Sequence, residues 1–344
     1  MSAPFVVQPR SGAASGSRRA RRAPAAPAAP RPLPDHAALD PLRAHLSDPE
    51  VTDVFVNGAH GLFVDRGRGA EPVADWSADE AEVRALAVAL VGLGGRHLDD
   101  ATPCVDVRWE HGARVHAVLP PIAVGGTTIS IRLPGTGEIS LDELGRRGMF
   151  DSATGERLRR LVADRVNVLV SGATGSGKTT LLGCLLSLVP PVERIVTIED
   201  VAELRIAHPH HVRLEARQAN LEGAGALPLS RLVREALRMR PDRLVVGECR
   251  GEEVRELLMA LNTGHDGGAG TVHAGGLREL PARLEALGSL AGLDDQALAR
   301  QVAGAIGAIV HVERGADGIR RIAGIARPVV VSGRLDVREV PCAP

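Results

Sequence analysis

Gly172-Ala173-Thr174-Gly175-Ser176-Gly177-Lys178-Thr179 fits the phosphate-cradling pattern G-x-x-x-x-G-K-[ST]. Its flanks fit as well. Val166 to Val170 is a short apolar run, read as a buried strand, and Thr180 to Leu188 is apolar with only Gly183 as a breaker, read as a helix. A loop between such elements aims backbone N–H groups and the positive end of a helix at one point. Di- and triphosphates bind there with few side chains. Gly172 to Thr179, with Thr180 beside them, are the candidate phosphate-binding residues. Lys178 is placed to pair with the β- and γ-phosphates, and the Thr179 hydroxyl to hold Mg²⁺. Lys178 is also the only lysine in the chain; the other 40 of 41 basic residues are arginine. A compact ammonium fits inside such a loop better than a planar guanidinium does.

Working outward, strands and helices alternate from Ser140 onward, which predicts a mainly parallel sheet covered on both faces. Predicted strands cover 194–198, 244–246, 269–273, 309–314 and 319–331. Predicted helices cover 151–165, 229–239, 252–261, 277–287 and 294–306. Upstream, residues 35–133 read as a smaller α/β domain. Asp40 and Pro41 open a short helix there, Ser77-Ala78-Asp79-Glu80 is a capping box for a helix to Leu93, and a hairpin turns around His111-Gly112. Pro134-Gly135-Thr136-Gly137 reads as a hinge within a linker over 134–150, and 151–344 as the second domain. Residues 1–34 are rich in Ala, Pro and Arg, with Arg18, Arg19, Arg21 and Arg22 clustered and no acidic residue before Asp35. That composition predicts a disordered basic tail.

Bulk properties narrow the function. The 344 residues are 44% hydrophobic but only 2% aromatic, so the cores are expected to be aliphatic. A formal net charge of -1 gives no global field to draw the protein to nucleic acid. Cys104, Cys184, Cys249 and Cys342 are far apart, which argues against a zinc site or a disulfide framework and suggests a reducing, cytoplasmic compartment. No apolar run reaches membrane-spanning length, so a membrane role would come through a partner.

Nucleotide hydrolysis also needs carboxylates and further positive charge. Ligands in open parallel sheets bind at the carboxyl ends of strands, where Glu199, Asp200 and Glu248 sit, with Glu203 close behind. Glu248 has the form of the second nucleotide motif and is a candidate for Mg²⁺ as well as for the attacking water. A strand-end acid can also simply cap the next helix. His265 and His273 flank a glycine-rich stretch and could sense a γ-phosphate or form local hydrogen bonds. His208, His210 and His211 read as a loop lining rather than a metal cluster.

At this point several longer strings matter: Ser47-Asp48-Pro49-Glu50, Val54-Phe55-Val56-Asn57-Gly58, Thr197-Ile198-Glu199-Asp200-Val201-Ala202-Glu203-Leu204, Leu237 to Arg243, Gly247-Glu248-Cys249-Arg250-Gly251 and Asn262 to Gly267. With the phosphate loop, they make the chain resemble the secretion and pilus-assembly ATPases of bacterial type II and type IV systems, most nearly the tight-adherence (Flp) pilus branch. The likeness runs from about Leu39 to about Val331. It implies a RecA-like P-loop NTPase domain with a smaller N-terminal α/β (PAS-like) domain. It further implies a homo-hexamer using ATP and Mg²⁺ between the domains, and work at the inner face of the cell membrane through a membrane-embedded platform protein. It assigns Glu199 and Glu203 to an acidic box, His265 and His273 to a histidine box, and Arg114 and Arg132 to phosphate contacts from the N-terminal domain. Gly268-Ala269-Gly270 and Gly275-Gly276 depart from the more polar residues of the family. The four-cysteine metal insert of some type II members is absent. The competing readings are a DNA-processing motor, with the near-neutral charge and few stacking aromatics against it, and a non-hydrolysing switch, with Glu203 and Glu248 against it.

Overall fold

A computed structural model describes residues 31, 33–67, 69–109, 112–135, 139–217 and 225–341. The arginines at 18–22, His111, the hinge residues Thr136 and Gly137, and Cys342 lie outside the described residues.

The N-terminal part runs α1 (Arg43–Ser47), β1 (Asp53–Asn57), β2 (Leu62–Asp65), β3 (Ala70–Pro72), α2 (Glu80–Leu93), β4 (Cys104–Arg108), β5 (Arg114–Val118) and β6 (Thr128–Arg132). The strands form an antiparallel sheet in the order β3-β2-β1-β6-β5-β4. Alternation explains it: Val54, Val56, Val107, Val115, Ile129 and Ile131 face a core shared with Ala87 and Leu90 of α2, while their neighbours point to the other face. The core is not purely aliphatic. Trp109 is buried in it and donates its indole N–H to the Leu90 carbonyl at 3.0 Å.

Three local expectations shift. The capping box of α2 is formed by Asp79 and Glu82, two residues later than expected, because Glu80 is drawn to the Thr127 amide and hydroxyl instead. Asp40 closes a 3-10 turn over Ala37–Leu39 and pairs with Arg43 at 2.9 Å, so α1 starts at Arg43. Arg31, assigned by composition to the tail, is buried and donates to the carbonyls of Leu46, Asp48 and Val51.

The second part continues with α3 (Leu141–Arg146), α4 (Ser152–Ala163), β7 (Val168–Gly172), α5 (Lys178–Leu186), β8 (Ile195–Glu199), β9 (His211–Glu215), α6 (Leu229–Leu237) and β10 (Arg243–Cys249). It ends with α7 (Glu253–Asn262), β11 (Ala269–His273), α8 (Leu280–Leu290), α9 (Asp295–Ala305), β12 (Ala308–Arg314), β13 (Arg320–Val331) and β14 (Arg334–Glu339). The sheet order is β14-β13-β12-β7-β11-β10-β8-β9, parallel from β12 to β9, with β13 and β14 added antiparallel. The sequence reading lacked β3, α3, β9 and β14. The stretch expected to be a plain linker thus contains α3, capped by Ser140, and Leu141, Leu144 and Met149 pack with Leu181 and Leu182 of α5.

Candidate nucleotide site

β7 is buried along its whole length and delivers the chain to the loop at its C-terminal end. Two glycines are forced there. A Cβ on Gly172 would stand 2.2 Å from the Val312 carbonyl oxygen, and Gly177 caps α5 in the left-handed region at φ +98. Lys178 opens α5 and is buried. Its ammonium donates to the carbonyls of Gly172 and Ala173, both at 2.9 Å, and lies 3.2 Å from Nδ1 of His273. An ammonium has three protons and no lone pair, so these partners take all three. Nδ1 of His273 must then accept, which leaves the ring proton on Nε2. That nitrogen is 2.6 Å from Oε1 of Glu248, a close approach that lacks hydrogen-bond alignment, since Oε1 is buried without a hydrogen-bond partner. The other Glu248 oxygen accepts from Arg250 at 2.7 Å. Lys178, His273, Glu248 and Arg250 therefore lie side by side across the ends of β7, β11 and β10, hydrogen-bonded at the Lys178–His273 and Glu248–Arg250 steps and in close contact between His273 and Glu248.

The charges agree with that arrangement. Burial lowers the pKa of Lys178, against the pull of Glu248, and burial likewise lowers that of His273, which favours the neutral ring. Burial alone would raise Glu248. The hydrogen bond and charge of Arg250, with the charge of Lys178, outweigh it and hold the carboxyl below its ordinary value.

Glu199 ends β8 and is buried. Its Oε1 accepts from the amides of Glu203 at 3.0 Å and Leu204 at 2.9 Å, while Oε2 is buried without a partner. Gly247 lets it approach, since a Cβ there would meet the Glu199 Cγ at 2.5 Å. Burial pushes this carboxyl up to about 7, despite the two amides and Arg213. Between about pH 5 and pH 7 the folded protein thus keeps a proton that the unfolded chain, titrating near 4.5, has released. This carboxyl's contribution to stability falls as pH rises through this window, by on the order of 3 kcal/mol for the whole shift. Glu199→Gln should remove that slope. Between pH 5 and pH 8 the urea midpoint of the unaltered protein should fall relative to that of the variant; parallel curves would place the carboxyl near its ordinary value.

Opposite this edge stands the outer face of the N-terminal sheet. Register places Asp53, Arg132, Arg114 and Arg108 in one row across β1, β6, β5 and β4. Arg114 lies 3.6 Å from Glu203. Arg108 donates to the Ala202 carbonyl at 2.7 Å and pairs with Glu215. Arg132 is held by Asp53 at 3.0 Å. A cleft of about 260 Å³ runs between the sheet and α5, lined by Arg114, Arg132, Thr179, Thr180, Glu203 and Arg205 among others. A smaller polar cleft joins Thr179 to Glu199, Asp200, Glu203, Glu248 and Arg250. Among the described residues no group of three or more Asp, Glu, His or Cys could hold a metal ion by itself, so a hard divalent cation here would need the oxygens of a bound phosphate as well. Thr179 and Glu248 both line this smaller cleft.

Of the residues singled out by sequence, only His265 stands apart. It precedes the N-terminal end of β11, whose far end carries His273 beside Gly172. There its Nδ1 meets the Ala260 carbonyl at 3.1 Å, near the Asp266 and Gly267 carbonyls that Arg165 and Arg243 tie down. A five-residue strand separates it from the loop at Gly172. His211 also departs from expectation: it starts β9, and its Nε2 lies 2.9 Å from the Thr197 hydroxyl. Arg108 and Arg250 were not singled out as site residues. Arg250 had a signal, since it lies two residues after Glu248, on the same side of an extended chain.

A family model described as "Type II/IV secretion system protein" matches residues 35–314. A Mycobacterium tuberculosis protein, whose name assigns it provisionally to conjugal transfer, is 48% identical over 88% of this chain and 87% of its own. The type IV secretion system protein VirB11 of Brucella suis is 31% identical over 71% of this chain and 77% of its own. Among solved structures, the Legionella pneumophila ATPase DotB superposes with a TM-score of 0.53 at 20% identity, covering 90% of this chain and 82% of that one. The chain belongs to the type II/IV secretion system protein family. The RecA-like fold with a smaller N-terminal α/β part, inferred from the sequence, holds.

Proposed function

We propose that this protein is an ATP-hydrolysing motor subunit that works as a hexameric ring and drives secretion or pilus assembly through a membrane-embedded partner. The observation that carries this reading is the cluster of Lys178, His273 and Glu248, set at adjacent strand ends beside Thr179 and faced by Arg114 from the other sheet. The conjugal-transfer and type IV secretion names of its relatives favour export across an envelope. No helix among the described residues is long and apolar enough to cross a membrane, so a membrane partner would supply the anchor, at the cytoplasmic face.

In this reading the site is self-paired before nucleotide arrives. Lys178 spends its donors on its own loop, Arg114 rests on Glu203, and Glu248 is taken by His273 and Arg250. Phosphate oxygens are stronger acceptors than the loop carbonyls and would draw Lys178 inward. Mg²⁺, held by the nucleotide with Thr179 and Glu248, would offset charge on the β- and γ-oxygens. Approach of the two sheets would carry the arginine row toward the γ-phosphate, so that Arg114 exchanges Glu203 for the nucleotide. Binding thereby becomes movement.

The test is phosphate release by the purified protein, with its ring size measured alongside. Mg²⁺-dependent turnover is expected, and none at millimolar ATP from folded rings would overturn the reading. Arg114→Ala should lower turnover about tenfold, since Arg132 shares the role, with nucleotide affinity within about threefold. Unchanged turnover would remove Arg114 from the reaction.

A further inference from the structure

The hairpin of β12 and β13 stands over the phosphate loop. Val312 is in register with Gly172, and β12 runs two residues further before the turn brings Arg320 back opposite Arg314. From there the side chain of Arg320 crosses the outside of the loop. Its Nε donates to the Gly175 carbonyl at 3.0 Å, and its Cδ lies 3.0 Å from where a Cβ on Gly177 would sit. Its neighbour Arg321 is neutralised by Asp317 through two contacts, at 2.5 and 3.0 Å. Arg320 has no carboxylate partner among the described residues. It also shares its surroundings with two more cations, Arg314 and Arg147; partial desolvation and these charges lower its pKa. Arg320 is exposed and Arg147 is itself paired with Glu143, so what sets Arg320 apart is its hold on the Gly175 carbonyl at the rim of the loop.

A trans peptide points its C=O and N–H to opposite sides. Pinning the Gly175 carbonyl outward therefore turns the Ser176 N–H into the loop. In this structure that N–H reaches only the Ala173 carbonyl, at 3.3 Å, a long bond that a better acceptor would displace. We propose that Arg320 is a positioning residue for nucleotide binding: by holding the Gly175 carbonyl outward it presents the Ser176 N–H to a phosphate oxygen of a nucleoside di- or triphosphate. This rests on the nucleotide reading above. It makes the antiparallel hairpin, and not only the parallel core, part of the binding device.

Isothermal titration with ADP, and steady-state kinetics with ATP, test it. Arg320→Ala should weaken ADP binding and raise KM about tenfold, the effect of one charge-assisted hydrogen bond. The rate at saturating ATP should change less than about threefold, because the contact is made in the ground state as well as the transition state. Arg320→Lys, which keeps a cationic donor, should recover most of the affinity. Arg321→Ala should bind ADP as the unaltered protein does, and all three should share its thermal midpoint without nucleotide. ADP affinity unchanged in folded Arg320→Ala would overturn the proposal, and so would a Lys variant as weak as the Ala variant. Lys178→Ala, run in parallel, separates the two levels. If it loses ADP affinity while Arg320→Ala does not, only the role of Arg320 falls; if neither loses it, the nucleotide reading fails as well.

Discussion

Lys178→Ala should remove ATP hydrolysis, by about a thousandfold or more, while leaving the fold intact. The ammonium is the only cationic side chain the loop itself supplies, and it is buried where the phosphates would lie. Two charge-assisted contacts to β- and γ-oxygens, at roughly 2 kcal/mol each, correspond to about three orders of magnitude in rate. The fold should survive because the ammonium's partners are the Gly172 carbonyl at the end of β7, the carbonyl of exposed Ala173 and one imidazole, none of them a member of an apolar core cluster. Removing the charge also frees Nδ1 of His273, so the ring loses the donor that fixes its tautomer. Loss should therefore appear in both affinity and turnover. Arginine should not rescue it: the space that takes an ammonium between Gly172, Ala173 and His273 is too small for a planar fork. Phosphate release would be measured beside a circular dichroism melt. Near-normal turnover by a folded Lys178→Ala protein would sink the assignment.

The legibility of this site in the sequence follows from which contacts are local. The loop, its strand and its helix are contiguous, so Gly172 to Thr179 could be read with their neighbours. The buried parallel strands β8, β10 and β11 announce themselves as apolar runs bounded by turn residues. Edge strands do not. In β14 only Leu335 is buried, and Arg334, Asp336, Arg338 and Glu339 read as a solvated tail. In β9 the alternation of Val212 and Leu214 is masked by the histidines before it. Helix α3 hides in a stretch with hinge chemistry at one end, although Ser140 caps it.

Side-chain pairings across elements were less visible still. Arg114 and Arg132 came forward through resemblance, yet Arg108 completes their row and is recognisable only once the register of β4 and β5 is known. In a chain where 40 of 41 basic residues are arginine, residue type gives no contrast among them. Arg250 and Arg320 are separated from ordinary surface arginines only by geometry, one on Glu248 and the other on the Gly175 carbonyl. His265 shows the opposite effect, since it lies at the far end of β11 from the loop. Eight positions from His273 look close in sequence, but the interior strand between them carries the chain from the N-terminal ends of the strands to their C-terminal ends.

Glu248→Gln should cut turnover about a hundredfold while keeping ATP bound. The carboxylate has one oxygen on His273 and the other on Arg250, and its pKa is held low, so it is anionic throughout the working range. An anion at that strand end can hold Mg²⁺ and orient water; a neutral amide can do neither well, and one general base is worth about a hundredfold or more. The amide also cannot satisfy both neighbours. Its oxygen can accept from Arg250 or from the His273 N–H, but its NH₂ then faces the other donor. Affinity should not fall, because removing a negative charge beside the γ-phosphate relieves repulsion. Glu203 is the rival. It is half-exposed and has Arg114 at 3.6 Å, so its charge is already countered from across the cleft. Glu203→Gln should therefore lose less than about tenfold, and part of that through a displaced Arg114. Single-turnover rates with ATP prebound separate the two acids, since they read the chemical step without nucleotide exchange. A hundredfold loss in Glu203→Gln with little change in Glu248→Gln would exchange their roles, leaving Glu248 as the anchor for His273 and Arg250.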